Sequence, residues 1–303
     1  MTSSPQEETA APPAEPESAS GNWLALLSEF ALVIGFTYSN DIVEFGMDLA
    51  NKPYVGLGQW LVFAVDLLLV IGTGALKWLM ERDSVDFGTF ARQLLRGWWG
   101  MGAALVVILH VALIANGARL ASTDSDMTLV VNLLATVAFV AAMTMLLLAA
   151  HSEATGSRTW LVPLVFGALA AQVASTMWEP IIDNQSGCAD DVSSAYFASA
   201  IDIIALTLLA IGVELSYIRR VSAVRDAAER AAPVLTIILL CAGQMLALSM
   251  MVKADMGERC GTVAIWHEYI SFLVCTQAMA VGLATITWLL VTDMGDDVPD
   301  KSL

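Results

Sequence analysis

Runs of about twenty apolar residues recur along this chain and leave it one class of fold. Eight are legible, at roughly 23–40, 56–79, 97–118, 127–150, 159–179, 193–217, 231–253 and 262–292. Crossing a hydrocarbon core of about 30 Å takes about 20 mostly apolar residues. The expected fold is therefore all-α: a polytopic integral membrane protein, a bundle of eight transmembrane helices. Composition agrees. The chain is 57% hydrophobic and 15% charged, whereas soluble domains run near one half and one quarter.

The flanks read differently. Residues 1–22 are rich in Pro, Ala, Ser and Glu, with no Lys or Arg. Such a segment cannot bury enough apolar surface to order itself, so a disordered acidic tail is expected. It lacks the basic start of a signal peptide. Residues 23–293 form the expected transmembrane domain, and 294–303 a short polar tail.

Charge sets an expected orientation. The loops 77–97, 150–159 and 217–231, with the C-terminal tail, carry ten Lys and Arg. The opposite loops carry four: Lys52, Arg119, Lys253 and Arg259. Basic loops stay cytoplasmic, which puts both termini inside a plasma (inner) membrane. The nine tryptophans all fall near expected span ends, where an indole meets apolar and wet surroundings at once. Cys188 and Cys260 then share the outer side, where disulfides persist, and a bridge between them is expected.

The two halves, 23–151 and 159–293, invite comparison. "VDLLL" at 65–69 aligns with "IDIIA" at 201–205, and "YSNDIVEF" with "MWEPIIDN" at the outer ends of spans one and five. Two parallel four-helix repeats would explain both matches.

The chemistry rests on Asp66 and Asp202, each mid-way along an apolar run. A central Asp costs about 2.5–3.5 kcal/mol to insert and marks a functional site by default. If the halves are repeats, the two acids lie at similar depth and face one another. An acid there can carry a proton or exchange it for a cation. Glu29 in span one is a candidate inner relay. Glu44, Glu179 and Asp183 shape an acidic outer entrance that draws in cations.

The leading expectation is a proton- or cation-coupled carrier or channel with no cofactor. Its partners are the lipid bilayer and a small cation or proton, and a homo-oligomer is compatible with the class. A net charge of −16 with no basic patch argues against nucleic acid. No Gly-rich phosphate loop, GxSxG or HExxH is present, so no enzyme is legible. A second reading is a redox, metal or haem-binding subunit built on His110, His267 and Glu268. A third is a non-catalytic sensor or assembly partner, in which both aspartates are structural.

Overall fold

The computed structural model describes residues 19–82, 85–120, 125–150, 161–178, 188–189, 191–221, 227–256 and 260–296. Among them are nine α-helices: α1 (Ala19–Leu49), α2 (Gln59–Glu81), α3 (Phe87–Arg96), α4 (Trp98–Leu120), α5 (Ser125–Ala150), α6 (Leu161–Trp178), α7 (Ser194–Val221), α8 (Ala227–Met256) and α9 (Thr262–Asp296). Among the described residues α2, α4, α5, α7, α8 and α9 are long and apolar enough to cross a bilayer. A helix closes its own backbone hydrogen bonds, which lipid cannot supply.

The bundle exterior is paved with apolar side chains. Leu68, Ile108, Leu134, Leu209, Ile238 and Leu283 are all exposed. A soluble protein could not hold so much apolar surface against water. The chain is thus a multi-pass helical membrane protein.

One stretch expected as loop is a helix. Within 77–97, α2 continues to Glu81 and α3 follows at Phe87. Asp86 caps α3, its carboxylate accepting from the Gly88 N–H at 3.0 Å. Phe90 is buried while Arg92 and Arg96 are exposed, so the helix is two-faced. The Trp78 ring packs on Phe87 and Phe90 with centroids 5.1 Å apart in each case. Such a short basic, amphipathic helix suits a membrane surface.

Two packing groups form. In the first, α1, α2, α4 and α5 bury Phe36, Val70, Val106, Met143, Leu146 and Leu147. In the second, α7, α8 and α9 bury Phe197, Ile204, Ile211, Leu240 and Cys275, and α6 packs on α9. Small residues allow the close crossings. A Cβ on Gly167 would stand 2.5 Å from the Val281 Cα, and one on Gly102 2.9 Å from the Ala142 carbonyl oxygen. This is the usual way membrane helices approach without a hydrophobic drive between them.

The groups are joined along α1 and α9. Trp266 Nε1 donates to Asp48 at 2.9 Å, Tyr269 donates to Asp41 at 2.8 Å, and the Tyr38 hydroxyl bonds Gln277. Beyond α1 the chain turns through Asn51 and Gly56, both with positive φ. Gly56, at φ 91°, adopts a backbone that side chains resist. It lies in a π-helical turn, Tyr54–Gly58, that leads into α2.

The expected Cys188–Cys260 disulfide is present. It joins the segment before α7 to the start of α9. The end of the bundle holding it also gathers the end of α1 and the start of α2, and is called the disulfide end below.

Candidate functional site

Asp66 falls in the second turn of α2 and is only 1% exposed. A residue so placed faces the bundle because Leu67 and Leu68 beside it take the exposed side. Across from it, α4 presents His110. The ring Nε2 lies 3.0 Å from Asp66 Oδ2. The ring Nδ1 lies 3.0 Å from the Val106 carbonyl, one helical turn back. Phe63 and Phe139 hold the imidazole from two sides, with centroids 5.4 and 5.7 Å away.

The pair borders a cavity of about 290 Å³. Its polar lining is Thr37, Ser39 and Asn40 from α1, Asn132 and Thr136 from α5, and Gln172 from α6. Asn40, Leu113 and Asn132 lie nearer the disulfide end than Asp66 does, so the cavity runs toward that end. In the other direction Val70, Val106, Leu146 and Leu147 are packed with essentially no exposure. Trp99 Nε1 donates to Thr73 beneath them at 2.9 Å. The polar lining thus extends toward the disulfide end, and packed apolar side chains lie beyond Asp66 on the other side. Asp66 Oδ1 is buried with no hydrogen-bond partner, an orphan acceptor of the kind that marks strain or function.

The remaining expected residues disperse. Asp202 lies on an exposed face of α7, away from the Asp66 cavity, whose lining includes nothing from that helix. The two acids therefore do not face one another. Glu29 falls on α1, its side chain outside the described residues, and Glu179 and Asp183 also lie outside them. Glu44 borders a separate cavity of about 540 Å³ with Asp48, Lys52 and Trp266.

His267 is not near His110. It bonds Ser249 at 3.1 Å, with Lys253 Nζ 3.5 Å from its other nitrogen. Glu268 is 2% exposed and accepts from the Val192 N–H at 3.2 Å, steadying the entry to α7. Among the described residues no three His, Cys, Asp or Glu side chains gather as a metal site would require. His110, His267 and Glu268 thus make no common centre.

A larger cavity, about 580 Å³, opens at the opposite end between α3 and the bundle. Its cation, Lys77, is already engaged with Glu81 at 3.5 Å and the Ala149 carbonyl at 2.6 Å. Size alone would favour this cavity, but Asp66 Oδ1, a buried acceptor without a partner, lies on the other.

Sequence reasoning named Asp66 and His110 but assigned them to different readings. It passed over Asn132, whose amide interrupts the apolar run "TLVVNLLATVAFV" much as Asp66 interrupts its own. It also passed over Ser39 and Asn40, which read as the polar end of span one.

The site thus belongs to a helical membrane protein with a buried acid–imidazole pair beside a polar cavity. Comparison with protein families, curated proteins and solved structures gives no match.

Proposed function

We propose that this chain is a proton- or cation-coupled membrane transport protein, with the Asp66–His110 pair as its ion-binding site. The observation that carries the reading is a carboxylate 1% exposed, 3.0 Å from an imidazole, at the floor of a polar cavity. Ionisable groups inside a membrane are costly and line proton or ion paths. A polar lining toward the disulfide end with packed apolar side chains beyond accords with one half of an alternating-access cycle.

The reading takes eight membrane spans, with α1 and α6 completing the six. At 1.5 Å per residue, α6 reaches about 27 Å and α1 about 46 Å, against a core of about 30 Å. Both termini are cytoplasmic and the disulfide end faces outward, in accord with the basic loops. Two four-helix halves accord with the two packing groups, although α1 packs on α2 while α6 packs on α9. A homo-oligomer fits the exposed Asp202, because an acid left to lipid bears the full insertion cost.

The test is proton flux into liposomes holding the purified protein and a pH-sensitive dye, under an imposed gradient of each cation tried. Flux in the wild type that is lost in a folded Asp66→Asn variant supports the reading. Equal flux in both proteins, or none above empty liposomes with every cation tried, sinks it.

A further inference from the structure

The hydrogen bonds at His110 fix how many protons the site holds. The Val106 carbonyl can only accept, so Nδ1, 3.0 Å away, carries a hydrogen. Nε2 and Asp66 Oδ2, also 3.0 Å apart, can bond only through one more proton. Either an imidazolium donates to a carboxylate, or a carboxylic acid donates to a neutral imidazole. Both arrangements are net neutral, and both hold one exchangeable proton.

Among the described residues that line the cavity, none but Asp66 and His110 ionises. The lining brings hydroxyls and amides from α1, α5 and α6 and apolar groups from α2 and α4. Asp41 on α1 is held by Tyr269 of α9. The charge of the site is therefore set by this pair alone. Removing its proton leaves one uncompensated negative charge on a carboxylate that is 1% exposed, which is strongly disfavoured unless a cation takes its place.

We infer that the cavity binds a small organic ammonium ion in exchange for the proton shared by Asp66 and His110; this rests on the transport reading above. The exchange balances: the protonated pair and R–NH3+ give the deprotonated pair with R–NH3+ bound, and H+ leaves to water at the disulfide end. No covalent bond changes apart from that proton transfer, and the site is neutral before and after.

Three observations select the class of cation. A volume of about 290 Å³ is spacious for a bare metal ion and close to the lower limit of small-molecule sites. The rings of Phe36 and Phe139 line it, 6.5 Å apart by their centroids, and aromatic faces attract ammonium groups. Asp66 Oδ1 is an acceptor still without a donor, with the side chains of Asn132 and Gln172 on the same cavity.

The experiment titrates ethylammonium chloride into the purified full chain in weakly buffered detergent, following binding by calorimetry and proton release by a dye. Release approaching one proton per chain is expected, with affinity tightening tenfold for each pH unit over which the pair is protonated. A folded Asp66→Asn variant, its disulfide intact, should release none and bind at least tenfold more weakly. Sodium and potassium chloride at equal concentration should release none. Absent binding, an affinity independent of pH, equal release by sodium, or release surviving in Asp66→Asn each overturns the inference. The wild-type pH dependence decides the matter even if the variant does not fold. Proton release without liposome flux leaves the exchange site standing and removes transport; flux without release does the reverse.

Discussion

His110 on α4 and Asp66 on α2 are held 3.0 Å apart although α3 intervenes between their helices. The contact is therefore a product of tertiary packing. Replacing His110 with Ala strips a buried acid of its partner, and such a loss costs about 3–5 kcal/mol. Asp66→Asn, which keeps size and hydrogen bonding, should cost less. Unfolding by titration with SDS in mixed micelles measures both, and the double mutant should fall short of the sum because the residues share one interaction. Additive effects would mean that the pair is not coupled.

The crossing of α6 and α9 depends on the absence of a side chain at Gly167. Its Cβ would meet backbone atoms of Val281 at 2.5 and 2.9 Å, and backbone cannot rotate aside. Gly167→Ala should destabilise by about 1–3 kcal/mol through overpacking. Gly212 is the control, since a Cβ there meets nothing within 4 Å. Gly212→Ala should be neutral, or gain up to about 1 kcal/mol from helix propensity. Thermal unfolding of the two variants in one detergent separates them.

The Cys188–Cys260 bridge closes a separation of 72 residues. By loop-closure entropy its loss should cost about 4 kcal/mol. The double Cys→Ser variant should unfold at lower temperature, and a thiol reductant should lower the wild type to match. In intact cells a membrane-impermeant reductant should break the bridge, as the outward placement of the disulfide end requires. Protection until the membrane is permeabilised would reverse the proposed orientation.

Asp202 lies on a stripe of α7 that is exposed at Ala205, Leu206, Leu209, Gly212 and Val213 as well. Substituting Leu removes an insertion cost of about 2.5–3.5 kcal/mol. Asp202→Leu should insert as well as the wild type or better. If a second copy covers this face, the variant should also lose oligomer, read by light scattering in detergent. A wild type that is monomeric at every concentration would remove the oligomer from the proposal. Proton flux should be unchanged in Asp202→Leu, since the Asp66 cavity takes nothing from α7.

The amphipathic α3 was open to reading in advance. "DFGTFARQLLR" has a capping Asp followed by Phe87, Phe90 and Leu94 at helical spacing. Its brevity hid it among basic loop residues. The disulfide was legible for a better reason: an alternating chain assigns each loop to a side, and only two cysteines fell outside the spans. The Asp66–Asp202 pairing failed because equal depth says nothing of facing direction.

The sequence by itself determined the helical membrane class, the places of the long apolar helices and the two cysteines that join. Those properties depend on local hydropathy and on alternation across a bilayer, which read linearly. Tertiary structure alone decided that Asp66 turns inward to His110 while Asp202 turns outward. A soluble helix announces its buried face by an apolar stripe. These helices are apolar on every side because lipid is as greasy as the core, so only the packed bundle picks which face of each is hidden.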